Sequence, residues 1–158
     1  MPEPFADKVI SGIRQATGLY HRLVMLVAQA GMGKTTVLID VHERTGAPLI
    51  NVNRDLSRRM LDLTERQRTL RLPRLLSEIV SATEAELVLL DNIEVLFDVS
   101  LKQDPLRLLQ GLSRNKTIVA AWSGSVNSGH VLYAAPGHPE YRRYPVQDFL
   151  AVTPEDLS

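Results

Sequence analysis

The run Ala28-Gln29-Ala30-Gly31-Met32-Gly33-Lys34-Thr35 constrains this chain more than any other, because of what flanks it. Residues 23–28 form a short, continuously apolar segment, the pattern of a strand buried on both faces. Residues 36–44 resume with Val37, Leu38 and Val41 at helical spacing. A strand that passes through two glycines into a helix must bury that helix against a sheet, so the run commits the chain to an α/β arrangement.

The rest of the sequence repeats the alternation. Residues 5–15 place Val9, Ile10 and Ile13 on one helical face, and Gly18 closes that helix before the first strand. After Gly46-Ala47-Pro48 a short strand is expected over residues 49–52. Helices are expected over 57–63 and 64–72, the second opened by a Thr64 and Gln67 capping box, and a further helix from Pro73 to about Ala82. Residues 87–90 are an apolar strand ending on Asp91, Pro105 opens a helix, 117–122 is another buried strand and 131–134 a last, weaker one. The expectation is a parallel sheet with helices on both faces, in one domain spanning residues 1–158.

Composition agrees with one ordinary core. At 158 residues, with 44% apolar and 23% charged residues, a globule of this size buries roughly 70% of its unfolded surface. No apolar run reaches the ~18 residues of a membrane span, and no basic segment leads into an apolar one at the N-terminus, so no membrane partner and a cytoplasmic address are expected. Cysteine is absent, which removes disulfides, zinc clusters and thiol chemistry. The net charge of zero gives no overall field toward nucleic acid or anionic lipid.

The eight-residue run fits the phosphate-binding P-loop pattern except at Ala28, where the pattern has glycine. Backbone N–H groups of Ala30, Gly31, Met32 and Gly33, at the start of a helix, form an anion cradle because they have no helical acceptor and the helix dipole is positive there. Lys34 would reach the β- and γ-phosphates, the Thr35 hydroxyl would bind Mg²⁺, and Thr36 would orient the α-phosphate. Ala28 matters only if its position requires positive φ. A nucleoside triphosphate with Mg²⁺ is the expected cofactor, and the plainer reading is a glycine turn with a solvated lysine.

Asp91, at the end of an apolar strand, reads as the second Mg²⁺-organising residue, or as a cap for the turn that follows. Hydrolysis also needs a group that holds the attacking water. Asn92 directly follows the aspartate; its amide can orient water but cannot accept a proton. Glu94, three residues past Asp91, is the alternative base, or a surface carboxylate. Ser123, after the 117–122 strand, would sense the γ-phosphate or simply open a Ser123-Gly124-Ser125 loop, and Trp122 reads as core.

Seven arginines lie between Arg54 and Arg74 against three carboxylates. They read as a DNA-phosphate patch carried by Arg54, Arg58 and Arg59, as groups reaching a neighbour's nucleotide, or as a solvated face. None of the chain's eight aromatic residues lies in that segment, which argues against base stacking. Arg114, Arg142 and Arg143 are further candidates for contacting a neighbour's phosphates.

Taken together, the glycine loop, residues 87–94 and the Ser123 strand resemble the AAA+ and related ATPases, whose acidic and sensor strands flank the P-loop strand. The resemblance implies a three-layer P-loop NTPase core of the AAA+-like type over about residues 15–135. Because the chain ends soon after the last expected strand, a C-terminal helical lid is not expected, so the adenine ring would need Tyr20, His21 or a partner chain. More narrowly, residues 61–76, 89–98, 104–122 and 137–145 resemble the BrxF family, the small P-loop proteins of type 3 BREX phage-defence systems. That resemblance implies ATP and Mg²⁺ as cofactors and other BREX subunits as partners, but it does not give the chain's own step. A homo-oligomer with nucleotide, or a larger BREX ATPase, would supply the surface a lid would otherwise provide. A nearly complete phosphate and Mg²⁺ site, with Asn92 in the usual glutamate place, points to a slow ATPase or nucleotide switch. A small-molecule or nucleotide kinase and a DNA-binding adaptor are the alternatives from other classes.

Overall fold

The computed structural model describes residues 2–154. Five α-helices, α1 (Pro2–Ala16), α2 (Lys34–Thr45), α3 (Val52–Met60), α4 (Glu65–Ser81) and α5 (Pro105–Leu112), alternate with seven strands. These are β1 (Leu23–Ala28), β2 (Leu49–Asn51), β3 (Leu87–Asp91), β4 (Thr117–Asn127), β5 (His130–Tyr133), β6 (Arg142–Pro145) and β7 (Leu150–Val152). Among the described residues no helix is long and apolar enough to cross a membrane.

The strands form a mostly parallel sheet in the order β2-β3-β4-β1-β7, extended by an antiparallel β5 and β6 that pair from β4. Strand periodicity sends alternate residues to opposite faces. Leu23, Met25 and Val27 of β1 join one core with α3, α4 and α5, while Val24, Leu26 and Ala28 join the other with α1 and α2. The helices change faces where the chain changes direction. From β1 it runs outward to the edge strand β2 through α2, then returns to β3 and β4 through helices on the opposite face, as a constant crossover hand requires.

Several expectations need correction. The acidic strand β3 does not lie beside β1; β4 intervenes, pairing β1 through Ala28↔Ser123 and β3 through Leu90↔Ala120. α3 begins at Val52, in the expected strand, because the Asn51 side chain accepts from Arg54 N at 3.0 Å and caps the helix early. The capping box at Thr64 and Gln67 is present, but α4 continues through Pro73. Proline removes the N–H that Thr69 O would accept. Gln103 Nε2 donates to Thr69 O at 2.9 Å instead, so the helix continues past the proline without leaving that carbonyl unsatisfied.

The parallel expectation fails past Ser123. There β4 runs on through Gly124 and Ser125 to Asn127 and turns back into β5, which is antiparallel. Ser128 (φ 52°) and Gly129 (φ 76°) make the two-residue turn, both in the left-handed region that such tight hairpins require. Gly124 permits close packing here: a Cβ on it would lie 1.9 Å from Leu132 O, the atom that accepts from Trp122 Nε1 at 3.1 Å. Neither β6 nor β7 was expected from the sequence. β7 extends the parallel sheet beyond β1, and among the described residues no α-helix follows α5.

Candidate functional site

The glycine run connects β1 to α2 at the carboxyl end of the sheet. Gly31 and Gly33 have φ of 85° and 82°, and Gly33 is the cap of α2. A Cβ on either would meet nothing within 4 Å, so glycine is required by backbone conformation alone. Any other residue would cost about 1–2 kcal/mol at each position. Asn51, Thr64 and Asp104 cap α3, α4 and α5 with their side chains, whereas no side chain caps α2. Its first N–H groups, from Lys34 to Thr36, therefore face outward without helical acceptors. Ala28 remains in the strand, paired with Ser123, and does not enter the left-handed region, which is why alanine serves where the pattern has glycine. Ala30, Met32, Thr35 and Thr36 are exposed along the loop and first turn.

Lys34 is buried at 9% exposure and folds back over the loop, its Nζ donating to Ala28 O and Gln29 O at 3.1 Å each. Burial lowers its pKa below the ordinary lysine value, and the charges of Glu94 and Asp91 partly offset that. Asp91 arrives from the end of β3, also buried. Its Oδ2 accepts from Thr35 Oγ1 at 2.6 Å and its Oδ1 from Asn92 N at 2.9 Å.

Asn92 adopts a left-handed conformation (φ 54°), which asparagine tolerates better than most residues. Its carbonyl accepts from Asn53 N at 3.1 Å, so its backbone joins β3 to α3. The chain then enters a 3-10 turn, Ile93–Phe97, that carries Glu94 back toward the loop. Ser123 Oγ, from β4, donates to Glu94 Oε2 at 2.7 Å. Thus Lys34, Thr35, Asp91, Glu94 and Ser123 converge from beyond the ends of β1 and β3 and from the point where β4 leaves β1, the crevice where open α/β sheets place ligands.

Beside them lies a cleft of about 510 Å³ lined by Gln29, Ala30, Ser123, Tyr133, His138 and Glu140. Tyr133 had no part in the sequence reading. Its ring stacks on Phe97 with centroids 3.6 Å apart, and its phenol is pushed up to about 12 by burial and then by Glu94 and Glu140. The Asn127-Ser128-Gly129 stretch was the sequence signal that could have placed it, through the hairpin.

Other candidates lie elsewhere. Tyr20 and His21 precede β1 at its amino end, with Arg114 over the Tyr20 ring and His21 Nδ1 at 3.1 Å from Gln110 O. β1 has six residues, about 20 Å of strand, so these two rings cannot meet a base whose phosphates sit on the loop. Arg54, Arg58 and Arg59 are exposed on α3, where Arg54 pairs with Asp55 and Arg59 with Glu78. Arg142 Nη2 donates to Gln103 O at 3.2 Å, and Arg143 is exposed.

Among the described residues no cluster of three or more His, Cys, Asp or Glu side chains forms a metal cage. The chain matches no family model, no curated protein and no solved structure with which it was compared.

Proposed function

We propose that this chain binds a nucleoside triphosphate, ATP, with Mg²⁺ through a P-loop of the AAA+-like type, and acts as a slow ATPase or nucleotide switch. The observation that carries the reading is the convergence of an uncapped helix N-terminus, a buried lysine and the Thr35–Asp91 pair at the carboxyl end of the sheet. Backbone N–H groups and the α2 dipole would hold the phosphate oxygens. Lys34 would exchange its two carbonyl acceptors for phosphate oxygens. A hydroxyl and a carboxylate at 2.6 Å fit Mg²⁺, which keeps several waters and takes one or two protein ligands beside phosphate. When bound, the ion supplies charge neutralisation at the β- and γ-phosphates.

Glu94 is the carboxylate available to accept a proton from the attacking water, since both Asp91 oxygens are already engaged. Ser123 has a single O–H, and it is committed to Glu94. A γ-phosphate oxygen would compete for that proton and release the Glu94 carboxylate. On the resemblance to the BrxF family alone, the chain would act within a BREX phage-defence complex; a homo-oligomer formed with nucleotide would supply the surface over the base that no α-helix after α5 provides among the described residues.

Mg-ATP is expected to raise the thermal midpoint of the protein, and Lys34→Ala to abolish the shift. Phosphate release by the pure protein is expected to be slow and to fall further with Glu94→Gln, while nucleotide binding persists. A wild-type midpoint indifferent to Mg-ATP would sink the proposal. The defence role has its own test: loss of phage restriction when Lys34→Ala is introduced into an otherwise complete system.

A further inference from the structure

Outside the loop, the most unusual surface lies where the α3–α4 turn meets the 3-10 segment after β3. Leu61, Leu70 and Val99 are 71%, 70% and 51% exposed, three large aliphatic side chains on one face. Two clefts of about 540 and 460 Å³ lie here, and they adjoin at Glu65 and Ser100, which line both; Leu61 lines the first and Leu70 the second, with Val99 next in sequence to Ser100. A single exposed leucine needs no explanation, but three exposed aliphatic side chains close to two adjoining clefts of mixed polarity mark a surface suited to a partner with both apolar and charged groups.

Each aliphatic residue has a cation at helical spacing. Arg58 precedes Leu61 by three residues, Arg66 and Arg74 stand four residues either side of Leu70, and Lys102 follows Val99 by three. Among the described residues Arg58, Arg66 and Lys102 enter no ion pair, while Arg74 pairs with Glu78. Two carboxylates also line the clefts: Glu65, in the first turn of α4 where the helix dipole favours it, and Asp98, which accepts from Ser100 N and Ser100 Oγ at 2.9 and 2.8 Å; against them stand Arg66, Arg68 and Lys102 in the same lining.

We propose that this groove docks an acidic amphipathic helix of another protein, its leucine-type side chains entering the two clefts and its carboxylates meeting Arg58, Arg66 and Lys102. Nucleic acid fits less well, because three exposed aliphatics face nothing useful on a phosphate backbone and the face carries no aromatic residue to stack on a base. The surface is independent of the phosphate loop, so it is tested on nucleotide-free protein.

The probe is a labelled helical peptide with leucines at i, i+4 and i+7 and glutamates on its flanks, alongside a counterpart with glutamine for glutamate. The acidic peptide is expected to bind about tenfold more tightly than the glutamine one, and to lose that advantage in high salt. Leu61→Ser with Leu70→Ser should weaken it by about tenfold or more, and Arg66→Gln with Lys102→Gln should remove the preference for acid. All four side chains or their aliphatic ends are on the surface, so circular dichroism and the thermal midpoint should be unchanged. Equal or absent binding of the two peptides would overturn the proposal. So would binding of duplex DNA or phosphatidylserine vesicles that the leucine variants abolish while the peptide fails to bind.

Discussion

Lys34 is held in a costly place. Its pKa is lowered by burial, so the unfolded chain binds that proton more tightly than the folded one, and stability rises with pH through the window below 10.5. Lys34→Met is therefore expected to leave the denaturant midpoint of the nucleotide-free protein unchanged or higher at neutral pH, and to flatten its rise toward alkaline pH. A clear loss of stability would mean that the two carbonyl bonds outweigh the burial. Tyr133 works in the opposite sense. Its phenol titrates near 12 when folded against 10.0 for the ordinary group, so its contribution is complete below pH 10 and is lost between pH 10 and 12. Tyr133→Phe should make the midpoint less sensitive to pH across that interval. The sequence offered Lys34, Asp91, Glu94 and Ser123 one by one, from the glycine run and from the strands each follows, but Tyr133 carried no such local signal of its own. The Ser123–Glu94 contact joins residues 29 apart through strand order, which no local pattern encodes.

At the scale of elements, two misreadings had the same origin: a local rule overridden by a distant partner. Proline reads as a helix start because it lacks an N–H, yet α4 passes through Pro73 since Gln103 supplies the missing donor to Thr69 O. Gln103→Leu should leave that carbonyl unpaired and lower stability by about 1–3 kcal/mol, measured by denaturant unfolding. A negligible change would indicate that water replaces the amide. Likewise, Ser123-Gly124-Ser125 reads as a loop by composition, but it is the middle of β4. Gly124→Ala would force Leu132 O away and break its bond from Trp122 Nε1, at about 1–3 kcal/mol. Its accompanying signature is a shifted tryptophan emission maximum as the buried indole loses its acceptor.

Over the whole molecule, one sheet separates two cores, and neither core can form without the other face of the same strands. Unfolding should accordingly be a single transition, with Trp122 fluorescence and far-ultraviolet circular dichroism falling on one curve; separate midpoints would show two independent halves. The sequence pattern was sufficient for an α/β fold because apolar strands and amphipathic helices alternate along it. It was insufficient for strand order, because β1 and β4 are equally apolar and nothing local says which neighbours which. It also missed β7, whose three residues are too short to show a period. The junction in β4 has a mechanical meaning. Ser123 is the last residue of that strand gripped by β1, and Gly124 the first gripped by the hairpin. A force that tilted the hairpin would therefore be felt first at the hydroxyl that donates to Glu94, in the site proposed above to hold nucleotide.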